Sequence, residues 1–358
     1  MSTEARVYVI AEAGVNHNGS TGRAIELVDA AAAAGADAVK FQSFHADKLV
    51  TREAGKAAYQ KRSTDAAESQ FEMLQALELD AAAHEKLIAH AKRAGIEFLS
   101  TPFDSDSLAL LARLGVKTIK VSSGDLTNAP FLLEIARAAD RVILSTGMST
   151  LEEVEAALGV LAFGFTAARD AQPGRAAFEQ AFAAPAGHAA LAQRVCVLHC
   201  TTEYPAPFEE VNLRAMDTMA GAFGIPVGYS DHTTGIHVAI AAVARGAAVI
   251  EKHFTLDRNL PGPDHKASLE PAELTQMVAA IRDVERALGD GVKKPTASEL
   301  KNRDVARKSL VAARALDAGE ALAIACKRPG TGISPFEYWR LQSRTARRAY
   351  KADEALDE

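Results

Sequence analysis

The stretch VYVIAEAGVNHNGSTGRAIELVDAAAAAGADAVKFQ, residues 7–42, is typical of a strand, a helix and a second strand. The runs VYVIAE (7–12) and DAVKFQ (37–42) have the length and β-branched content of buried strands. Between them, GRAIELVDAAAAAG (22–35) carries apolar residues at helical spacing. This order predicts two parallel strands joined by a crossover helix.

The same alternation continues along the chain. Six further strands are predicted at IEFLST (96–101), TIKVSS (118–123), RVILST (141–146), RVCVLHC (194–200), PVGYSD (226–231) and AAVIEKHF (247–254). Eight strands alternating with helices in about 250 residues are typical of a (β/α)8 barrel. A doubly wound open sheet is the alternative, but no G-x-G-x-x-G follows the first strand. The sequence therefore favours an α/β fold of the (β/α)8 TIM-barrel type.

The composition changes after Gly289. The polar, proline-containing run GDGVKKPTASELKNRD (289–304) is typical of a linker. We predict a catalytic barrel at residues 1–288, a linker at 289–303 and a small β-rich domain at 304–358. A domain of that size has a thin core, so we expect it to pack on the barrel or on another subunit.

Two intervals between predicted strands are longer than the rest. They run from Gln42 to Ile96 and from Thr146 to Arg194. Long segments of this kind are either surface loops or lids over a site. The sequence leaves both alternatives open for both intervals.

The composition excludes several classes of protein. Forty Lys and Arg residues against 46 Asp and Glu give a net charge of -6, which does not favour nucleic-acid binding. The longest stretch without a charged residue has fourteen residues, fewer than the roughly 20 that cross a bilayer. Three cysteines without a CxxC pair exclude a disulfide scaffold and a four-cysteine zinc site. With no secretory signal pattern at the start, these features predict a cytoplasmic protein.

Nearly every predicted strand ends in a side chain that can ionise or form a hydrogen bond. Active sites of such barrels lie at the carboxyl ends of the strands. Alternate residues of a strand face the same side, so Lys40 and Gln42 share a face. The strand-end groups are Glu12, Lys40, Gln42, Ser100, Thr101, Lys120, Ser122, Ser123, Ser145, Thr146, His199, Ser230, His232, Glu251 and His253.

Two of these groups predict an anion site. Lys40 and Lys120, directed into one mouth, would repel each other unless an anion lay between them. Nearby hydroxyl groups add hydrogen-bond donors that suit a phosphate or a carboxylate ligand. These hydroxyls belong to Thr101, Ser123, Ser145 and Ser230. The alternative is that one lysine forms a buried ion pair with Glu12 or Asp125.

Two histidines on adjacent strands predict a metal site. His232 and His253 would supply two nitrogens and leave coordination positions open for water and substrate. The alternative is that both serve packing and hydrogen bonding. Tyr204 offers a ring and a hydroxyl on the next loop. Asp264, in the proline-stiffened loop LPGPDHKAS (260–268), suits the holding of substrate hydroxyls.

The same segments closely resemble the sialic acid synthase family, which contains the N-acetylneuraminate, legionaminate and pseudaminate synthases. The matching runs are AEAGVNHNGS (11–20), VKFQSF (39–44), FLSTPFD (98–104), IKVSSGD (119–125), ILSTGMS (143–149), LHCTTEYPAPFEEVNLRAM (198–216), GYSDHT (228–233), EKHFTLDRNLPGPDHKASL (251–269) and KRPGTGISP (327–335). The resemblance implies a barrel followed by a small antifreeze-like (SAF) domain. It also implies a homodimer in which the small domain of one subunit closes the barrel mouth of the other.

The resemblance further implies a reaction. Phosphoenolpyruvate would condense with an open-chain N-acyl hexosamine and water, with C–O cleavage, to give a nonulosonic acid and phosphate. The hexosamine would be N-acetylmannosamine, leading to N-acetylneuraminate, or 2,4-diacetamido-2,4,6-trideoxymannose, leading to legionaminate. The segment 160–193 occurs in only part of the family, and its role is left open.

Residue roles follow from the same resemblance. The predicted catalytic residues are Glu12, His232 and His253, with Glu12 as base or water-orienting group. The two histidines would hold the divalent metal, manganese in the first place and magnesium or cobalt as alternatives. Phosphoenolpyruvate would be bound by Lys40, Thr101, Lys120, Ser123, Ser145 and Ser230. The sugar would be bound by Gln42, Thr202, Tyr204, Asp264 and Arg328, with Thr202 standing where some members have asparagine.

Two other functions compete with this one. A different phosphoenolpyruvate-dependent 2-keto sugar acid synthase, acting on a sugar phosphate, would need further cations for the second phosphate. The sugar-side candidates Gln42, Tyr204 and Asp264 include none. A non-catalytic sugar- or ice-binding protein is the other alternative, because the small domain resembles type III antifreeze protein. It leaves the lysines and histidines of the mouth without a role.

Overall fold

A closed parallel barrel forms the first part of the chain. The computed structural model describes residues 6–57, 60–61, 64 and 68–357. The barrel strands follow one another in chain order, β1 to β8. They are β1 (Tyr8–Gly14), β2 (Ala38–Ser43), β3 (Glu97–Pro102), β4 (Thr118–Val121), β5 (Arg141–Ser145), β6 (Val195–His199), β7 (Val227–Asp231) and β8 (Val249–His253). The predicted (β/α)8 barrel is confirmed, with every strand within a few residues of its predicted position.

Helices follow the strands and form the outer layer. They are α1 (Thr21–Ala33), α2 (Ala46–Leu49), α3 (Gln70–Gln75), α4 (Ala81–Ala94), α5 (Ser105–Arg113), α6 (Ala129–Ala138), α7 (Leu151–Thr166), α8 (Arg175–Ala183), α9 (Pro185–Arg194), α10 (Ala215–Phe223), α11 (His237–Ala244) and α12 (Pro271–Leu288). Within the part of the chain that the structure describes, no helix combines the length and hydrophobicity needed to cross a bilayer.

The first helix illustrates how the sequence sets this layer. Ser20 caps α1, because its hydroxyl accepts a hydrogen bond from the backbone N–H of Arg23. Four of its residues, spaced three and four apart, are buried against the barrel: Ala24, Leu27, Val28 and Ala31. Alanine at half of these positions lets the helix lie close to the strands.

The barrel interior is layered along its axis. An apolar cluster fills it with Ile10, Ala38, Leu99, Ile143, Leu198 and Val249. Two residues further along their strands come polar groups on the same face, as in the pairs Ile10–Glu12 and Val249–Glu251. The apolar layer therefore closes the floor beneath a polar mouth at the carboxyl ends of the strands.

The second compact unit begins at Asp290 and ends at Glu358. It contains α13 (Ala297–Ala306), α14 (Tyr338–Leu341) and the antiparallel strands β9 (Ser309–Ala312) and β10 (Ile324–Lys327). Its core includes Leu310, Leu316, Leu341, Tyr350 and Leu356. Residues 289–303, predicted as a linker, include the first part of α13, which starts with a capping box between Thr296 and Glu299.

The two long intervals form different structures. The interval between β2 and β3 contains α2, α3 and α4, and its residues 58–59, 62–63 and 65–67 lie outside the described residues. The interval between β5 and β6 contains α7, α8 and α9. In this second interval Phe163 of α7 and Phe178 of α8 pack edge to face, with ring centroids 5.3 Å apart.

Candidate active site

All thirteen barrel residues predicted from the sequence line one cavity. It lies at the carboxyl ends of the strands and has a volume of about 410 Å³. Its predicted residues are Glu12, Lys40, Gln42, Thr101, Lys120, Ser123, Ser145, Thr202, Tyr204, Ser230, His232, His253 and Asp264. Arg328 lies in the second unit and is exposed there.

A larger cavity, about 890 Å³, lies outside the barrel between α6, α7 and α8. Its floor includes Leu132, Val160 and Phe178, and carboxylates such as Glu155 and Glu179 stand at its rim. The titratable groups among its described lining residues are all exposed. The mouth instead buries several charges, so it is the candidate active site.

Two lysines and two glutamates form a buried charge cluster in the mouth. Lys40 Nζ lies 2.7 Å from Glu12 Oε2 and 3.8 Å from Glu251 Oε2. Lys120 Nζ lies 3.5 Å from Glu251 Oε1. All four side chains are at most 5% exposed. The buried ion pair left open by the sequence is therefore present, and it involves Lys40 and Glu12.

Hydroxyl groups lie next to the charge cluster. Lys40 donates to Thr101 Oγ1 at 3.0 Å, and Lys120 donates to Ser145 Oγ at 2.7 Å. The Ser230 hydroxyl donates to Glu251 Oε1 at 2.8 Å. Ammonium and hydroxyl groups converging in a water-poor site are suited to a phosphate or carboxylate ligand.

Within this cluster, the pKa values of Glu12 and Glu251 are shifted in opposite directions. Burial raises the pKa of Glu12 to about 7, although Lys40 acts in the opposite direction. Burial also opposes ionisation of Glu251, but Lys120 and Lys40 outweigh it and lower its pKa to about 2. Glu12 can therefore exchange a proton near neutral pH, whereas Glu251 stays ionised.

The two histidines lie side by side beneath Tyr204. The His232 and His253 ring centroids are 5.5 Å apart, and Tyr204 stacks on His232 at 4.2 Å. His232 Nδ1–H donates a hydrogen bond to the carbonyl oxygen of Thr201 at 2.6 Å, so the ring proton is on Nδ1 and Nε2 keeps its lone pair. Burial lowers the pKa of His232 to about 4, so the ring is neutral at neutral pH.

The donor set fits a metal ion. His253 Nδ1 is buried without a hydrogen-bond partner, and the nearest carboxylate oxygen, of Asp264, lies 3.9 Å away. Burial keeps the pKa of His253 well below the ordinary value, which preserves its lone pairs for coordination. Among the described residues no group of three or more His, Cys, Asp or Glu could hold a metal. A two-histidine site leaves the other coordination positions to water and substrate.

Another group of side chains converges on Gly14. A Cβ atom built there would lie 3.1 Å from Glu12 Oε1, 3.5 Å from Gln42 Nε2 and 3.7 Å from Asp264 Oδ2. Gly14 has φ +51°, a backbone conformation that favours glycine. Gly14 thus makes room at the point where the catalytic carboxylate candidate meets two sugar-side candidates.

Burial raises the pKa of Asp264 to about 6. Thr202 Oγ1 belongs to the same cavity and is buried without a hydrogen-bond partner. Both groups are therefore open to a polar ligand in the mouth.

Comparison with known proteins identifies the family. The NeuB family matches residues 27–293. The chain is 49% identical over 356 residues to the N,N'-diacetyllegionaminic acid synthase of Campylobacter jejuni, covering 99% of each protein. This chain belongs to the NeuB family.

Further NeuB-family proteins agree in sequence and structure. The N,N'-diacetyllegionaminic acid synthase of Legionella pneumophila is 46% identical over 333 residues, which are 92% of this chain and 87% of that protein. The crystal structure of N-acetylneuraminic acid synthetase from Leptospira borgpetersenii, in complex with citrate, has a TM-score of 0.66 and 31% identity. The structural match covers 83% of this chain and 90% of the Leptospira chain. The prediction of a sialic-acid-type synthase is confirmed.

Sequence reasoning missed two residues of this NeuB-family site. Glu251 was recognised as a polar strand end on the same face as His253, but no role was assigned to it. Its role as partner of both lysines became visible only when three strands were brought together. Gly14 gave no signal, because nothing in the sequence separates it from the other glycines.

Proposed function

We propose that this enzyme condenses phosphoenolpyruvate with 2,4-diacetamido-2,4,6-trideoxymannose and water, giving N,N'-diacetyllegionaminic acid and phosphate. The observation that carries the reaction is the arrangement of the mouth, with a cationic hydroxyl-rich end, two neutral histidines and a polar end around Gly14. The choice of sugar is supported by the names of the two relatives at 49% and 46% identity.

Lys40 and Lys120 would bind the phosphate and carboxylate groups of phosphoenolpyruvate, with Thr101, Ser123, Ser145 and Ser230 as hydroxyl donors. Before substrate enters, the carboxylates of Glu12 and Glu251 balance the two ammonium charges. An entering anion would replace Glu12 as the partner of Lys40, and the released carboxylate would then be available as a base. Glu251 would stay next to Lys40 and Lys120 while the anion replaces Glu12.

His232 and His253 would hold a divalent metal, which we propose to be manganese. When bound, such an ion acts as a Lewis acid that polarises the sugar aldehyde. C3 of phosphoenolpyruvate then forms the new C–C bond to the aldehyde carbon. The aldehyde oxygen takes up a proton and becomes a hydroxyl group. Water adds at C2 to give a tetrahedral carbon, and the C–O bond to phosphate then breaks to leave the 2-keto group. Glu12 would orient this water and accept its proton, which suits its position and its pKa.

Gln42, Thr202, Tyr204 and Asp264 would bind the hydroxyl and acetamido groups of the sugar. Among the described residues that line the mouth, Lys40 and Lys120 are the only Lys or Arg side chains. Both are assigned to phosphoenolpyruvate. This distribution favours an uncharged sugar over a sugar phosphate, since a second phosphate needs its own cations.

The second unit, residues 290–358, would be an SAF domain that completes the site of a partner subunit in a homodimer. Arg328, exposed in this unit, would then reach the N-acyl group of the sugar in the partner's barrel. The resemblance of KRPGTGISP (327–335) to the family supports this role.

We propose that the enzyme acts in the cytoplasm. Its three cysteines, none of them in a disulfide, support this compartment.

Phosphate release tests the proposed reaction. Purified enzyme with Mn2+ and phosphoenolpyruvate would be given N-acetylmannosamine or the diacetamido sugar separately, with EDTA as control. We expect metal-dependent release and a nine-carbon 2-keto acid with the diacetamido sugar. Release with N-acetylmannosamine alone would assign the enzyme to N-acetylneuraminate. Absence of release with both sugars would contradict the proposed function.

A further inference from the structure

A buried ion pair lies directly behind the two histidines. Lys252 Nζ is 2.9 Å from Asp231 Oδ2, and both side chains are 0% exposed. The two residues are register partners on β7 and β8. Their side chains point away from the mouth, since strand neighbours alternate and Ser230 and Glu251 face into it.

The pair is tied to the turn that carries His232. Asp231 Oδ1 accepts hydrogen bonds from the Thr233 backbone N–H at 2.9 Å and from the Thr233 hydroxyl at 2.8 Å. Lys252 Nζ donates to the Thr233 carbonyl oxygen at 2.5 Å. In the sequence, His232 lies between Asp231 and Thr233, and His253 directly follows Lys252.

Stability alone does not account for this arrangement. A fully buried ion pair loses much of its attraction to desolvation, and apolar residues of similar volume often serve stability as well. An apolar pair would lack the three hydrogen bonds to Thr233, of which two hold the turn after β7 and the third, from Lys252, joins that turn to β8. These hydrogen bonds fix the positions of the His232 and His253 imidazoles relative to each other.

We propose that Asp231, Thr233 and Lys252 form a positioning unit, which fixes the His232 and His253 imidazoles for a divalent metal. The inference rests on the proposed function in taking the two histidines as metal ligands. Residues that orient metal ligands in this way typically change metal affinity by about 10–100-fold when they are altered. Asp231, Thr233 and Lys252 do not line the mouth, so the effect of the positioning unit passes through the histidines.

Mn2+ titration of the full-length protein tests the positioning unit. Thr233→Val removes one hydrogen bond with little change of shape, and Thr233→Ser restores the hydroxyl. The double variant Asp231→Asn with Lys252→Met removes both charges together, so that no buried charge is left unpaired. We expect Thr233→Val and the double variant to weaken Mn2+ binding by roughly tenfold or more, and Thr233→Ser to bind like the wild type.

A matched control lies at the other end of the barrel. Arg282 and Asp37 form a half-buried ion pair at 2.6 Å, ahead of β2. The double variant Asp37→Asn with Arg282→Met should lower the unfolding midpoint and leave Mn2+ binding unchanged. Equal weakening in this control would overturn the inference, because general loosening would then explain it.

The remaining outcomes separate this inference from the proposed function. Normal Mn2+ binding in Thr233→Val and in the positioning-unit double variant would overturn the inference, provided that His253→Ala abolishes binding. Normal binding in His253→Ala as well would instead overturn the metal assignment on which the inference rests. Weakened binding confined to His253→Ala and the positioning-unit variants supports both.

Discussion

At the scale of a single residue, a substitution of Lys120 tests the proposed binding of phosphoenolpyruvate apart from the binding of the sugar. The Lys120 ammonium group lies 2.7 Å from Ser145 Oγ and 3.5 Å from Glu251 Oε1, and the side chain is 4% exposed. Lys120→Met removes a buried cation from the proposed anion end, so we expect the KM for phosphoenolpyruvate to rise by roughly 100-fold. The KM for the sugar should change far less. Steady-state kinetics with each substrate varied in turn measures both.

A control for this change lies at the start of the same strand. Lys117 precedes β4 at the opposite end of the barrel and is exposed. Lys117→Met should leave both KM values at the wild-type level, since surface charges contribute little. A selective rise in the sugar KM in Lys120→Met would contradict the assignment of Lys120 to phosphoenolpyruvate.

The raised pKa of Glu12 predicts that kcat/KM decreases on the acid side of its pH profile. As a base Glu12 must be ionised, and its pKa is about 7, so kcat/KM should fall as the pH decreases below about 7. His232 does not produce this limb, because its pKa of about 4 keeps it neutral until far lower pH. The profile of kcat/KM for the sugar, at saturating Mn2+, measures the limb.

Glu12→Gln tests whether the limb belongs to Glu12. The variant should lose most of the activity, about 100-fold or more, as expected for a general base. Its residual kcat/KM should no longer show a limb near pH 7. A limb near pH 7 that persists in the variant would assign the titration to another group.

The sequence predicted the mouth residues well, for a physical reason. Side chains alternate along a strand and barrel sites occupy strand ends, so Lys40 with Gln42 and Glu251 with His253 could be placed on one face from spacing alone. Spacing could not show that Lys40 is paired with Glu12 rather than free. That contact depends on the register between β1 and β2, which places Glu12 opposite Lys40.

At the scale of elements, the two long intervals have different roles. In the first interval, Leu49, Val50 and Leu74 line the mouth and form one of its walls. In the second, none of the described residues of α8 and α9 line the mouth, and α8 packs against the outer face of α7. Of the alternatives surface loop and lid, the first interval therefore fits the lid, and the second interval lies outside the mouth.

The sequence could not separate these roles. Both intervals contain amphipathic helices, and an apolar stripe shows that a helix packs without showing at which end of the barrel it does so. The answer depends on loop lengths and on the direction in which the chain leaves the strand. Only the assembled barrel shows that α2 and α3 stand over the strand ends.

One substitution in each interval tests this difference. Leu74→Ala shortens a partly buried wall residue, so we expect the sugar KM to rise by up to roughly tenfold, with little loss of stability. Phe178→Ala removes a ring that packs on Phe163, so the free energy of unfolding should fall by roughly 2–3 kcal/mol with unchanged KM values. Kinetics and denaturant titration of both variants give the comparison, and a changed sugar KM in Phe178→Ala would contradict it.

At the scale of the whole molecule, the proposed homodimer predicts that each active site is built from two chains. If Arg328 acts in the partner's barrel, an active site takes Lys120 from one chain and Arg328 from the other. Full-length Lys120→Met and Arg328→Met chains, each inactive or impaired alone, would then complement each other. A mixed dimer holds one barrel with both lesions and one barrel with neither.

Co-expression with two different tags allows the mixed dimer to be isolated. Because a two-fold dimer has two equivalent sites, restoration of one should give about half of the wild-type rate. A mixed dimer of Lys40→Met and Lys120→Met chains is the control. Both lesions lie in the barrel, so neither of its sites is intact and it should stay inactive. An inactive dimer of the first kind would place Arg328 in its own chain's site. Wild-type activity of the Arg328→Met chain alone would place Arg328 outside any site, and failure to recover mixed dimers would contradict the homodimer itself.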